Sequence, residues 1–274
     1  MPKVATIILN RNLPVPTDNL YDQIIKYDGK YTDVFILESG SDKALLSKNY
    51  TWHVDTPEAM KNGLRYCRGM NYSLLKLKNE NKFDNYDFFL LVTNDTEFQD
   101  EPFISKLIDI MNEHPRVGLL SPCSNRWGEK DLLLDNETKY FWYIHNNAYF
   151  LRKEFIEDIC EKKQPDMMNF FFDGNNFRGY ASESEIIAKG YANDWASAIT
   201  KSVWAEENES YLINQSETIK TDKFEKNIQL YLEEGLYWMK AKYGFNSRWQ
   251  MQMYVKIFYN QFFKYFPEYE KYRL

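Results

Sequence analysis

Cysteine, histidine, glycine and proline are all scarce in this chain, and each shortage removes a class of protein. Its 274 residues include three cysteines, Cys67, Cys123 and Cys160. An odd number, at spacings that suit neither zinc nor a disulfide framework, predicts reduced thiols in a cytosol-like compartment. The 11 glycines and 9 prolines are too few for a linker-rich protein. A hydrophobic fraction of 44% with 17% aromatic residues is more apolar surface than a disordered tail carries. No uncharged apolar run reaches the ~18 residues of a membrane span, so any membrane contact is expected to be peripheral. The opening run from Met1 to Leu9 has one positive charge and leads into Asn10-Arg11-Asn12 without a small-residue cleavage pattern, so it reads as a first strand and not as a secretory leader. Positive charge is short as well. Lys and Arg total 34 against 40 Asp and Glu, a net charge of -6, which argues against a nucleic-acid partner, whose recognition draws on a surplus of cations.

What the chain does have is alternation. Val4 to Leu9, Asp33 to Leu37 and Asp87 to Val92 are short apolar runs bounded by polar residues, as expected of strands buried on both faces. Helical patterns run from Asn19 to Tyr27 and from Glu58 to Asn79, where Leu64, Cys67, Leu74, Leu75 and Leu77 share a face. A further helix is expected from Glu101 to Glu113, opened by Pro102 and closed by His114-Pro115. Val117 to Leu120 and Phe141 to Leu151 read as strands and Lys153 to Lys162 as a helix. Gln164 to Gly179 reads as an irregular loop rich in Phe, Asn and Gly, the kind of segment that often carries function. Such alternation predicts an α/β fold, a mostly parallel sheet flanked by helices. From about Phe224 onward the pattern is helical and aromatic. The division expected is a catalytic domain over 1–215 and a helical appendage over 216–274, the latter offering a packed cap, an interfacial helix or a homodimer contact.

In a parallel sheet, ligands sit beyond the carboxyl ends of the strands near the point where strand order reverses. Those ends read Leu9-Asn10-Arg11-Asn12, Glu38-Ser39-Gly40-Ser41-Asp42 and Asn94-Asp95-Thr96. Asp95 follows a strand of Phe, Leu and Val, so its carboxylate is delivered on a rigid support, as a ligand for Mn²⁺ or Mg²⁺ on a diphosphate should be. The plainer reading of Asp95-Thr96 is a turn or helix cap.

The order of these segments resembles family 2 glycosyltransferases, the inverting enzymes of the GT-A fold. Val4 to Asn12 is similar to their opening strand, and Phe35 to Asp42 to their acidic Gly-Ser turn. Gly63 to Asn71 is similar to the helix beginning near the diphosphate, and Asn94-Asp95-Thr96 stands where the family keeps its DXD-type metal motif. Pro115 to Pro122 resembles the strand that follows. The likeness covers about residues 3 to 205. It implies a nucleotide-sugar donor of the UDP, dTDP or GDP type and a glycan, lipid-linked or protein-linked acceptor. It places Glu38 against the nucleobase, with Leu9 and Arg11 in the base pocket, and Arg65 and Asn71 facing the ring or the phosphates. Ser182-Glu183-Ser184-Glu185 resembles the family's acidic helix start, so Glu183 is implied as the general base. As structure alone, Ser182 would be an N-cap with Glu185 completing a capping box. Trp142, His145, Asn146 and Asn147 resemble the segment lining the acceptor or donor sugar, with Glu185 a further candidate there. Where the family usually has Asp, this chain has Asn94 and Glu183. The later His that often binds metal is missing, and that stretch reads Val203-Trp204-Ala205-Glu206-Glu207. Either glutamate could supply the ligand, or both form a solvated acidic pair. Two other classes stay open: a sugar nucleotidyltransferase, against which no Gly-rich basic loop follows the first strand, and a noncatalytic sugar-binding protein on the same fold.

Overall fold

The computed structural model describes residues 3–145 and 148–274. Its strands are β1 (Val4–Asn10), β2 (Thr32–Ser39), β3 (Trp52–Val54), β4 (Phe88–Thr93), β5 (Thr96–Phe98), β6 (Val117–Cys123), β7 (Thr138–Tyr140), β8 (Tyr149–Arg152) and β9 (Ala196–Glu207). The helices are α1 (Pro14–Asp28), α2 (Pro57–Asn62), α3 (Arg65–Asn79), α4 (Ile104–Glu113), α5 (Lys153–Ile159), α6 (Ser182–Ala192), α7 (Ser210–Ile219), α8 (Phe224–Tyr243) and α9 (Arg248–Tyr265). One sheet runs in the order β3-β2-β1-β4-β8-β6-β9-β5, with β7 also on β9. The first four strands are parallel, β6 and β9 are parallel to each other, and β8 runs antiparallel between the two groups. Strand order therefore reverses beside β1 and β4. Ile7, Ile8, Phe89, Leu90 and Leu91 are wholly buried, which is why these segments carry unbroken apolar runs.

Local chemistry sets the helix boundaries. The pattern from Glu58 to Asn79 is two helices and not one, because Gly63 adopts φ +69° and ends α2, and a Cβ there would meet the Arg11 guanidinium at 2.8 Å. The helix expected from Glu101 begins at Ile104, where the Asp28 carboxylate accepts from the backbone N–H groups of Phe103, Ile104 and Ser105 at 2.9–3.1 Å and so caps it from another element. The strand expected from Phe141 is confined to Tyr149–Arg152. Residues 164–179 are irregular, as expected.

Helix α9 shares buried surface with the sheet, whereas Trp238 and Met239 of α8 pack in a second, smaller core with Ala181 and Met251. Val255, Tyr259, Phe262 and Phe263 belong to the main core, and the Tyr272 ring stacks on Tyr140 of β7 at 5.3 Å. Lys242 of α8 joins Asp173 (2.6 Å) in the irregular loop and Glu185 (2.7 Å) on α6. One face stays uncovered, with Trp249, Met253 and Ile257 exposed one turn apart along α9. Among the described residues no helix is long and apolar enough to cross a membrane.

Candidate active site

A cavity of about 210 Å³ opens beyond the carboxyl ends of β1 and β4, walled by Leu9, Asn10, Arg11, Arg65, Tyr66, Asn94 and Asp95 and closed by Tyr211, Leu212, Ile219 and Thr221. It sits where strand order reverses, the place that topology assigns to ligands. A wider hollow of about 590 Å³, lined by Glu113 and His114 together with Thr138 and Lys139 of β7 and Ser202 of β9, lies away from the carboxyl ends of β1 and β4.

Polar side chains at the strand ends are wired together. Asn10 Nδ2 donates to both oxygens of Glu38 at 2.9 Å, and Asn10 Oδ1 accepts from Asn94 Nδ2 at 2.7 Å. Glu38 also accepts from Ser41 Oγ (2.5 Å) and the Ser47 N–H (2.7 Å) and is fully buried. Its oxygens are thus committed to protein partners, and it acts on the cavity by fixing Asn10 and, through it, Asn94. Asp95 follows at the tip. Thr93 stabilises its carboxylate, but burial dominates and raises the pKa, helped by the negative charges of Glu209 and Glu97. Asp95 Oδ1 is sealed from solvent without a hydrogen-bond partner. Glu207 is placed beside it by strand pairing: Thr96 is in register with Glu207, and the Asn208 N–H donates to the Asp95 carbonyl at 2.9 Å.

Cations face this carboxylate across the cavity. Arg65 opens α3 with φ +58°, a left-handed conformation unusual for a bulky residue. Its guanidinium donates to Thr221 Oγ1 at 2.8 Å, and its Nε is buried and unpartnered. Burial, reinforced by Arg178 and Arg11, pulls its pKa down to about 10. Arg11 donates to the Met60 and Lys61 carbonyls (3.1 and 3.0 Å) and likewise leaves Nε buried and unpartnered. Arg178 pairs with Asp222 at 2.8 Å and with Glu234. Arg68, on α3, donates to the Gly174 carbonyl at 2.8 Å and lies over the Phe177 ring. Asn71 is turned away from the cavity. Its amide donates to the Met167 and Phe172 carbonyls and accepts from the Phe171 and Phe172 N–H groups, all at 2.8–3.0 Å, so it pins the irregular loop to α3.

That loop delivers α6. Ala181, at φ +58°, is the N-cap position and Ser182 the first helical residue, with no side-chain cap. The capping box is therefore absent, and Glu185 is buried in its pairing with Lys242 and Lys189. Glu183 is half-buried, and burial pushes its carboxyl up to about 7, while Ser184 and His145 act in the opposite direction. The two sites share neighbours. Tyr149 and Tyr231 feel both Glu183 and Glu207, and Tyr66 on the cavity wall packs edge-on against Tyr149 at 5.9 Å. On the outer side, His145 Nδ1 lies 2.9 Å from Glu129, and Trp142 sits beneath the Lys256 ammonium. Asn146 and Asn147 lie outside the described residues. Glu206 is not solvated: it accepts from Ser124 Oγ at 2.8 Å and from the Asn125 N–H.

Asn10, Tyr66, Arg178, Tyr211 and Thr221 were not singled out by sequence. Asn10 alone carries a usable signal, as the first polar residue after a buried strand. Among the described residues no three His, Cys, Asp or Glu side chains converge as a metal cage. The unpartnered, desolvated Asp95 Oδ1 nevertheless fits one hard cation whose remaining ligands come from elsewhere.

No protein-family model and no curated protein matches the chain in sequence. Solved structures do match in fold. Against S. aureus TarS 1-349 in complex with UDP, the TM-score is 0.51 at 12% identity, covering 88% of this chain and 73% of that one. Against the mannosyltransferase PcManGT from Pyrobaculum calidifontis in complex with GDP-Man and Mn²⁺, it is 0.52 at 11% identity, covering 94% and 74%. Against GalNAc-T7 with UDP, GalNAc and Mn²⁺ it is 0.52 at 10% identity, covering 96% and 56%. The chain has the GT-A glycosyltransferase fold.

Proposed function

We propose that this chain is an inverting, metal-assisted glycosyltransferase of the family 2 kind, moving a sugar from a UDP, dTDP or GDP donor to a hydroxyl of a glycan or of a lipid- or protein-linked acceptor. The observation that carries the reading is one cavity at the strand-order reversal in which Asp95 Oδ1, Arg11 Nε and Arg65 Nε are all buried and unpartnered. A carboxylate oxygen without a donor calls for a cation, and guanidinium N–H groups without acceptors call for an anion. A metal-bound diphosphate supplies both. Three fold neighbours were solved with UDP or with GDP-Man, two of them with Mn²⁺, which supports the same ligand class.

Mn²⁺ or Mg²⁺ on Asp95, with Glu207 as a second oxygen ligand, would offset charge on the departing nucleoside diphosphate. The chain's own groups do the rest. Arg11 and Arg65 direct N–H groups at the phosphate oxygens as they gain charge. Leu9 packs against the base, and Glu38 holds Asn10 and Asn94 in place. On the acceptor side, Glu183 takes the hydroxyl proton as the oxygen attacks the anomeric carbon from the face opposite the diphosphate. The carbon–oxygen bond to phosphate breaks and its electron pair leaves with the diphosphate. A carboxyl raised to about 7 is a stronger base than a free glutamate and is about half ionised at neutral pH. A peripheral-membrane or homodimer contact, in a cytoplasmic setting, would use the exposed Trp249–Met253–Ile257 stripe.

The test is to incubate the protein with UDP-, dTDP- and GDP-sugars plus Mn²⁺ and follow nucleoside diphosphate release. One donor class should turn over, and Asp95→Ala and Glu183→Gln should each lose that turnover. Full transfer activity in Glu183→Gln would remove the base assignment.

A further inference from the structure

Trp127 has no part in the chemistry above, yet its exposed ring is held in place by its neighbours. Its indole is 41% exposed and lies flat on the His145 imidazole, with ring centres 5.0 Å apart and planes 7° apart. Beneath, His145 Nδ1 meets Glu129, whose side chain is buried, at 2.9 Å, and the Tyr143 ring meets His145 edge-on at 4.3 Å. The preceding residues are anchored as well: Ser124 Oγ donates to Glu206 on β9 and accepts from the Arg126 N–H at 3.0 Å. A mobile surface tryptophan needs none of this. The group also borders the candidate base, since Glu183 is close enough to feel His145, and Tyr143 feels both Glu183 and Glu129.

A rigid aromatic face beside polar groups is suited to a saturated ring that is apolar on one side and hydroxylated at its edge. The axial C–H groups of a pyranose meet the electron-rich indole face, and the edge hydroxyls find the imidazole and carboxylates. We propose that Trp127, braced by His145 and Glu129, is the platform on which a pyranose ring of the acceptor stacks, so that the acceptor is itself a glycoside and not an amino-acid side chain or a bare lipid phosphate. This deepens the glycosyltransferase reading and rests on it for the word acceptor. The stacked ring would bring one of its hydroxyls to Glu183, and the identity of that hydroxyl would follow from how the ring edge meets His145.

The experiment uses the full chain and three probes, the methyl β-glycosides of glucose, galactose and N-acetylglucosamine at millimolar concentration, read by saturation-transfer NMR. At least one should receive saturation on its ring C–H protons. Trp127→Ala should weaken that binding about fivefold to tenfold, in line with the loss of one aromatic stack, while Trp127→Phe retains most of it. Equal binding in Trp127→Ala, or no transfer to any probe in the unaltered protein, would overturn the proposal. Failure of the donor reading is separable. Stabilisation by nucleoside diphosphates with Mn²⁺ depends on Asp95, and Asp95→Ala should leave glycoside binding intact. Nucleotide binding without glycoside binding would refute only the platform, and the reverse result would refute only the donor site.

Discussion

Replacing Glu183 with Gln should make the protein more stable at alkaline pH while removing transfer activity. In the fold burial pushes the carboxyl up to about 7, against 4.5 for a free glutamate, by disfavouring its charge. For an acid with a raised folded pKa, the native state holds the proton more tightly than the unfolded chain. The charge penalty is therefore absent below about pH 4, develops as pH rises, and is complete above about pH 7. At about 1.4 kcal/mol per pKa unit the upper bound is about 3 kcal/mol, and solvent reaching this half-buried group leaves about 2 kcal/mol. Gln keeps the shape and carries no charge. For a chain of this size, its melting midpoint should exceed that of the unaltered protein by about 4–8 °C at pH 8 and by almost nothing at pH 4.5. Scanning calorimetry of the two proteins across that range measures the difference, and transfer rates over the same range should rise to a plateau through a midpoint near 7. A midpoint difference that does not change with pH would refute the reasoning, since Glu183 would then not be a strained carboxylate.

Three further outcomes follow from the same geometry. Asn71→Ala leaves the Phe171 and Phe172 N–H groups buried without acceptors, so unfolding in urea should show a loss of about 3 kcal/mol or more. Arg65→Met removes a desolvated guanidinium that has an unpartnered Nε; calorimetric titration should show nucleoside diphosphate binding weakened by about 10- to 100-fold with little loss of fold stability. Lys242→Ala removes the countercharge of Asp173 and one of the two facing Glu185, which keeps Lys189, and should cost about 1–2 kcal/mol, seen as earlier proteolysis of the loop over residues 164–179.

The parallel half of the sheet and the placing of Asp95 were legible because strands buried on both faces leave continuous apolar runs, and the residue after such a run is fixed at the sheet's end. Strand β9 was not, because Ser197, Thr200 and Ser202 interrupt its apolar residues, and its burial comes from pairing with β6 and β7 and not from hydrophobicity. The break between α2 and α3 hid behind an apolar pattern that continues through Gly63. Side-chain commitments were least visible. Glu38 sits where the family likeness puts a base-binding acid, but its oxygens are taken by Asn10, Ser41 and Ser47. Asn71 is likewise taken by the loop some 100 residues on. Partners so distant in sequence leave no local trace. Arg11, Arg65, Asn94 and Asp95 do meet at one cavity, since each follows a strand end or opens the helix beside it.

The donor site at Asp95 is the centre of this account, and a thermal-shift comparison of UDP, GDP, dTDP and CDP, each with and without Mn²⁺, tests it most directly. A ligand that binds only the folded state raises the melting midpoint by mass action, by about 2.7 kcal/mol of stability at 100 times its Kd. One nucleotide should stabilise the protein with the metal and much less without it, and Asp95→Ala should abolish the difference. No shift with any of the four at millimolar concentration, or a shift indifferent to both Mn²⁺ and Asp95, would contradict it.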